Sequence, residues 1–124
     1  MLRCAYLPDG ALGSVVLLWG QAGDLRGLAA LFLSLSTSPR EERIGDDGSP
    51  GTVTVRFDDH PRGMRAAGND PSWEMAPAEA ARFSELLIAL AASPCPAHQY
   101  LDRASGEGRT VKASLGEYPN DFRP

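Results

Sequence analysis

The sequence PAEAARFSELLIALAA (residues 77–92), followed by HQYLD (98–102) and TVKASL (110–115), decides the fold of this chain. Apolar side chains recur in the first segment at the spacing of one buried helical stripe: Phe83, Leu86, Leu87 and Leu90. Pro77 suits the first position of a helix, because no intrahelical partner awaits its missing N–H there. The two shorter segments have the alternating or β-branched pattern of strands. The last third of the chain is therefore predicted to be a helix followed by two strands.

The first third of the chain predicts two strands and a helix. Residues 2–7 and 14–19 flank the turn signal at residues 8–10 and are expected to form a hairpin. The second of these strands is apolar throughout, which is typical of a strand that is central or covered on both faces. Asp24 is expected to cap a helix that ends before Pro39. Its apolar positions again form one stripe: Leu25, Leu28, Ala29, Phe32 and Leu35.

The middle of the chain predicts a loop and three more strands. Residues 40–51 are polar and glycine-rich, as expected of a loop. Strands are predicted at residues 52–57, 64–67 and 72–75, with Trp73 and Met75 pointing inward. Because short turns separate these strands, they are expected to form a meander.

The resulting order, β-β-α-β-β-β-α-β-β, predicts a single α+β domain over residues 1–124. We expect a mainly antiparallel sheet of about six or seven strands, with the two helices packed on one face. The opposite face is expected to be polar and to stand in water. It would carry Thr52, Thr54, Arg56, Glu74, Lys112 and Ser114. No internal repeat is visible in the sequence.

Composition narrows the classes of function. The 124 residues carry a formal net charge of −4, which argues against nucleic-acid binding, since phosphate contacts need a concentrated basic patch. No apolar stretch approaches the length of about 20 residues needed to span a bilayer, so a cytoplasmic protein without membrane contact is expected. Cys4 and Cys95 are predicted to be reduced thiols packed as small hydrophobic side chains.

The candidate binding residues lie near the carboxyl terminus. His98, Tyr100 and Asp102 alternate along a predicted strand and should share a face. His98 and Asp102 would be about 13 Å apart on a strand, too far for a catalytic pair. Pro119 favours an extended conformation for the preceding residue, so Glu117 and Tyr118 should be held in a defined position at a strand end. These five residues are predicted to contact a partner protein, or a second copy of the chain, rather than to catalyse a reaction.

An enzyme or ligand-binding domain is the alternative hypothesis. It would use His98, His60, Asp58 and Glu117, and it requires at least two of them within about 4 Å of each other in a concave pocket. Cys95 and His98 have a spacing that zinc ligands use, but no second Cys/His pair of standard spacing accompanies them. No metal and no cofactor are therefore predicted.

The segments HQYLD (98–102) and GEYP (116–119) resemble small bacterial proteins, some of which look like immunity proteins that neutralise polymorphic toxins. This resemblance covers about a quarter of the chain and carries over no family site. It implies binding rather than catalysis. An acidic immunity-like protein would suit a basic toxin as its partner.

Overall fold

A computed structural model of the chain describes residues 2–10, 13–45, 52–65, 71–103, 108–119 and 122, with the backbone alone at 8–10, 13 and 14. The elements in chain order are β1 (Arg3–Gly10), β2 (Gly13–Gly20), α1 (Ala22–Thr37), β3 (Glu42–Gly45), β4 (Thr52–Phe57), β5 (Gly63–Arg65), β6 (Ser72–Met75), α2 (Pro77–Ala91), β7 (Ala97–Tyr100) and β8 (Thr110–Leu115). The α+β class is confirmed, and so are the predicted bounds of β4, β6 and β8.

The strands form two sheets instead of the single one predicted. The first sheet has the order β1-β2-β8-β7 and the second has the order β3-β4-β6-β5. In each sheet the outer pairs are antiparallel and the central pair is parallel. The prediction of one mainly antiparallel sheet of six or seven strands is therefore wrong in detail. The prediction failed because backbone hydrogen bonds can join strands of any sequence. The local pattern of side chains therefore does not specify which strand pairs with which.

The second sheet corrects two further predictions. Strand β3 lies within residues 40–51, which were predicted to be loop; residues 46–51 lie outside the described part. Ile44 is its one buried side chain, and four residues are too few for an alternating signal. The predicted meander is also wrong, because β4 pairs with β6 in parallel and β5 lies beyond β6 at the edge. Residues 66 and 67 of the predicted strand 64–67 are outside the described residues.

The chain contains the same unit twice, although its sequence shows no repeat. The order ββαββ occurs as β1-β2-α1-β3-β4 and again as β5-β6-α2-β7-β8. Exchanging the two units converts the strand order of one sheet into that of the other. The registers of the central pairs agree as well: Leu18 faces Ala113 and Trp73 faces Val55, and each ladder continues for two more residue pairs. The four residue pairs of the β4–β6 ladder therefore each have an equivalent in the β2–β8 ladder.

The two helices begin in equivalent ways. Helix α1 starts at Ala22, so Asp24 is its third residue, and the prediction that Asp24 is its cap is wrong. The Asp24 carboxylate accepts a hydrogen bond from the backbone N–H of Gln21 at 2.9 Å, and Glu79 does the same for Ala76 at 3.0 Å in α2. An acid at this position also lies at the positive end of the helix dipole.

One hydrophobic core joins both helices to the inner faces of both sheets. At its centre Trp73 stacks on Phe83 and meets Phe32 edge-on, with ring centroids 5.3 Å apart in both pairs. All three side chains are at most 1% exposed. The predicted apolar stripes of the helices are confirmed, except that Leu86 of α2 is only partly buried, and Trp73 and Met75 point inward as expected.

The outer faces of the two sheets differ. The outer face of the second sheet is polar, with ion pairs such as Arg56–Glu41 at 3.1 Å and Arg65–Glu74 at 4.0 Å, as predicted. On the outer face of the first sheet Leu17, Trp19 and Ser114 are buried, with 0%, 3% and 0% exposure. The prediction of a solvated face is therefore wrong for Ser114. Strand β2 is covered on both faces, as its apolar sequence indicated.

The two thiols have different environments. Cys4 is buried, as predicted, whereas Cys95 is exposed, so the prediction of a packed thiol is wrong there. Cys95 lies between Pro94 and Pro96 beyond the end of α2, where no apolar stripe reaches it. Neither α1 nor α2, the helices of the described part, is long and apolar enough to cross a membrane.

Candidate functional site

The segment that follows β8 covers the outer face of the first sheet. Gly116 adopts a φ of 73°, a backbone conformation that favours glycine. The chain turns there, and the residues that follow pack over Trp19 of β2. The segment thereby brings Glu117 and Tyr118 onto side chains of three strands.

Glu117 makes three polar contacts with this sheet. Ser114 donates its hydroxyl to Oε1 at 2.6 Å, and Nδ1 of His98 lies 3.0 Å from Oε2. The ammonium of Lys112 lies 3.7 Å from Oε1. An ionised carboxylate only accepts hydrogen bonds, so Nδ1 of His98 carries a proton. The Nε2 atom of that ring makes no hydrogen bond to any residue that the structure describes.

These contacts change two pKa values. Partial burial raises the pKa of Glu117, but the hydrogen bonds from Ser114 and His98 and the charge of Lys112 outweigh it, so the pKa lies below its usual value. Partial burial lowers the pKa of Lys112, but its hydrogen bond to Tyr118 and the nearby negative charge outweigh that effect, so the pKa is raised. Both groups are therefore charged at neutral pH.

An aromatic cluster holds the rest of the segment. The indole N–H of Trp19 donates to the carbonyl of Pro119 at 3.1 Å. The Trp19 ring lies 6.3 Å from that of Tyr118 and 5.7 Å from that of Phe122. Lys112 donates to the Tyr118 hydroxyl at 3.3 Å and lies 5.4 Å from the centre of its ring. The segment is thus joined to the sheet by both polar and apolar contacts.

Four of the five predicted binding residues lie together. His98 and Tyr100 share a face, with ring centroids 5.5 Å apart, and Glu117 and Tyr118 lie beside them. Asp102 does not join them, because β7 ends at Tyr100 and the strand alternation ends with it. The Asp102 carboxylate accepts a hydrogen bond from the Val111 backbone N–H at 2.9 Å, which joins the loop after β7 to β8.

Sequence reasoning missed the residues that support this group. The prediction placed Lys112 and Ser114 together on one solvated face of the sheet, but it did not connect that face with Glu117. Trp19 lies 100 residues before its hydrogen-bond partner Pro119, so no local pattern could have joined them. The unusual apolar run of β2 was the one available signal that something covers its second face.

The structure fulfils one of the two requirements of the enzyme hypothesis, the short distance between two of its residues. His98 and Glu117 lie within 4 Å of each other, as it requires. Asp58 and His60 instead form a local turn after β4 in the other sheet, where Asp58 accepts the backbone N–H of His60 at 2.9 Å. The four residues therefore do not converge. The hydroxyl of Ser114 donates to the Glu117 carboxylate, but the Ser114 side chain is 0% exposed and is not open to a substrate.

A groove of about 350 Å³ lies next to Glu117, but its lining includes neither Glu117 nor His98. It is formed by Gly20, Gln21, Ala22, Leu115, Gly116, Tyr118 and Pro119. No group of three or more His, Cys, Asp or Glu side chains that could hold a metal ion occurs among the described residues. Cys95 lies against Ser93, with 3.9 Å between its sulfur and the hydroxyl.

Comparison of the chain with protein-family models, with curated proteins and with solved structures finds no match.

The lowered pKa of Glu117 predicts how the site responds to acid. A carboxylate with a lowered folded-state pKa stabilises the protein above the unfolded-state pKa, and this stabilisation is lost as the pH falls through the lowered value. We expect Glu117→Gln to reduce the free energy of unfolding at neutral pH, and the difference from wild type to shrink towards zero below about pH 4. Urea unfolding at a series of pH values measures it. Asp59→Asn is the matched control, because Asp59 follows β4 as Glu117 follows β8. A difference that stays constant from neutral to acidic pH contradicts the prediction.

Proposed function

We propose that the protein is a cytoplasmic, non-enzymatic binding module that recognises another protein through His98, Tyr100, Glu117 and Tyr118. We call these four residues the tail surface. The two free thiols support a reducing compartment. The resemblance to immunity proteins favours a toxin as the partner.

The observation that carries this proposal is the difference between the two equivalent sheets. Where the first sheet has Trp19 and Leu17, the second has Glu74 and Ser72 at the equivalent places in its central pair. Tyr100 faces Lys112 on β8, and at the equivalent place Arg43 faces Thr54 on β4. The second sheet stands with a polar outer face, so the fold does not require aromatic side chains there. Their presence on the first sheet supports a role beyond stability.

The chemistry of the tail surface is that of a protein interface. Tyr100 and Tyr118 are half-buried, so each presents an amphipathic ring whose position is already held by neighbours. Tyrosine is enriched at the centres of interfaces, where such rigid rings lose little conformational entropy on binding. Lys112, Ser114 and Trp19 hold the surface from below.

A binding experiment with variants in both sheets tests the proposal. The immobilised protein is used to capture partners from a bacterial lysate, and the affinity for the captured protein is then measured with purified components. We expect Tyr118→Ala to weaken binding by about 30-fold or more, the loss of a central interface residue. Arg43→Ala and Glu74→Ala, at the places on the second sheet equivalent to Tyr100 and Trp19, should bind as wild type does. Equal losses in both sheets, or a Tyr118→Ala variant that binds normally, would reject the tail surface.

A ligand-binding function is the second candidate, favoured by the His98–Glu117 contact. Glu117 orients the imidazole and leaves Nε2 directed away from the carboxylate, which is the arrangement of an oriented base. His98→Ala separates the candidates, because it removes the base on which a ligand site depends but only one of the four residues of the tail surface. Loss of a small-molecule thermal shift with partner binding retained would favour the second candidate.

A further inference from the structure

Strand β7 is an edge of the first sheet, and its backbone is open on the side away from β8. Leu101, the residue after β7, donates its N–H to the carbonyl of Val111 at 2.8 Å. Hydrogen-bonded and non-hydrogen-bonded pairs alternate along an antiparallel ladder, so the backbone groups of His98 and Tyr100 face away from β8. Among the described residues, the one group that reaches them is the Gln99 side-chain amide, 3.2 Å from the Tyr100 carbonyl. A carbonyl oxygen accepts two hydrogen bonds, so this one still has room for a second.

The other three sheet edges carry features that discourage pairing with a further strand. Strand β1 contains Pro8 and a shift of register, and β5 has three residues, of which Met64 is bridged to Arg109. Strand β3, the equivalent of β7 in the repeat, carries the charged residues Glu42 and Arg43. Prolines, bulges, short length and charges are the usual protections of an edge. Strand β7, with the sequence AHQY, has no proline, no register shift and no Asp, Glu, Lys or Arg.

We propose that β7 is a dimerisation edge, at which a second copy of this chain pairs in antiparallel orientation. The two first sheets, each of four strands, then form one continuous sheet. A two-fold axis beside Gln99 places His98 of each copy opposite Tyr100 of the other. Both residues exchange their open N–H and C=O groups across the axis, so every open backbone group of this edge finds a partner. The edge is therefore self-complementary, as a two-fold interface between identical chains requires.

The side chains favour a second copy over an unrelated strand. His98 and Tyr100 lie on the outer face, and within one chain their rings pack edge-on with centroids 5.5 Å apart. In the dimer, the His98 ring of each copy lies beside the Tyr100 ring of the other, and aromatic pairs across neighbouring strands stabilise a sheet. No like charges face each other along the strand. Each ring thus meets in the second copy the type of neighbour that it already has in its own chain.

This dimer goes beyond the proposed function and does not depend on it, because the pairing uses the backbone and leaves both tail surfaces on the outer face. A contact through one short strand is small, so we expect a dissociation constant between about 10 and about 1000 µM. Sedimentation equilibrium of the isolated protein over the same range of concentration measures it. A protein that is still monomeric at the upper end of this range overturns the proposal.

Charge substitutions at Gln99 test the pairing. In the dimer this residue faces its own counterpart across the axis, and like charges at facing positions destabilise a sheet. We expect Gln99→Lys and Gln99→Glu each to weaken dimerisation by about fivefold, and an equimolar mixture of the two to associate at least as tightly as wild type. Recovery in the mixture also shows that both variants fold. Glu42→Lys, at the equivalent place on β3, should dimerise as wild type does. A mixture that associates no better than either variant alone overturns the pairing.

Disulfide cross-linking locates the axis. Facing residues of a non-hydrogen-bonded pair have Cα atoms about 4.5 Å apart, within the range of a disulfide. With the exposed thiol removed by Cys95→Ser, Gln99→Cys is expected to form a covalent dimer under mild oxidation. Ala97→Cys is the matched control, because it lies on the same face of β7 but more than about 10 Å from its counterpart in the other copy. Equal cross-linking of the two variants, or none in Gln99→Cys, contradicts the proposed axis.

Discussion

Replacement of Trp73 by alanine is expected to destabilise the protein by about 3–5 kcal/mol, the range for deleting a fully buried aromatic side chain. Trp73 is 1% exposed and packs against Phe32 and Phe83, which come from the two helices. The cavity left behind would therefore separate elements that meet at the centre of the core. The free energy of unfolding from urea titration, followed by circular dichroism, measures the loss.

Trp19→Ala is the matched comparison, because Trp19 is nearly as buried, at 3%, but lies on the outer face of the first sheet. Its cover is a segment that follows the last strand, which can collapse onto the space more easily than two packed helices can. We expect about half the cost of Trp73→Ala or less, since the cost of a cavity depends on how well the site relaxes. Equal costs for the two variants would show that the segment is as firmly packed as the core.

Replacement of Gly108 by alanine is the second large effect, with an expected cost of about 2–4 kcal/mol. Gly108 has a φ of 88°, which a side chain rarely tolerates. An added Cβ would lie 2.7 Å from the backbone nitrogen of Met64 and 2.9 Å from the carbonyl oxygen of Arg62. The Met64 backbone cannot move freely, because Met64 is bridged to Arg109 and its carbonyl accepts the Arg109 N–H at 2.8 Å. This is where the start of β8 meets the second sheet.

Gly27→Ala is the control for this substitution. Gly27 lies inside α1, and an added Cβ there meets nothing within 4 Å. Alanine is favoured over glycine inside a helix, so this variant is expected to stabilise the protein by about 0.5–1 kcal/mol. Thermal or urea unfolding of both variants gives the two signs. Destabilisation by both, to a similar extent, would mean that the space around Gly108 does not decide its effect.

The candidate site could be predicted from sequence only within one strand or turn. Strand alternation placed His98 and Tyr100 on one face, and Pro119 indicated that Glu117 and Tyr118 are held at a strand end. The same alternation placed Asp102 with them and was wrong, because β7 stops two residues earlier. The contact of His98 with Glu117 spans 19 residues, and its geometry depends on the pairing of β7 with β8 and on the turn at Gly116.

The duplicated ββαββ unit shows why pairing escaped prediction. Both helices carry an acid at their third position and are followed by Ser-Pro, at Ser38-Pro39 and Ser93-Pro94, but these short features do not amount to a visible sequence repeat. The strands that flank the helices have buried side chains at equivalent positions but not similar residues. Leu18 is equivalent to Trp73, and Ala113 is equivalent to Val55. Residues of such different size keep no sequence similarity, yet they fill the same position in the sheet.

The sequence by itself determined the α+β class, both helices with their buried stripes, and the extents of β4, β6 and β8. These features depend on the spacing of apolar residues and on breakers such as Pro39 and Pro94, which act over a few residues. Only the tertiary structure decided that there are two sheets, that each has a parallel central pair, and that the segment after β8 covers Trp19. Hydrogen bonds between strands are made by the backbone and do not depend on the side chains, so the partners are chosen by the way the helices and both inner faces fill one core.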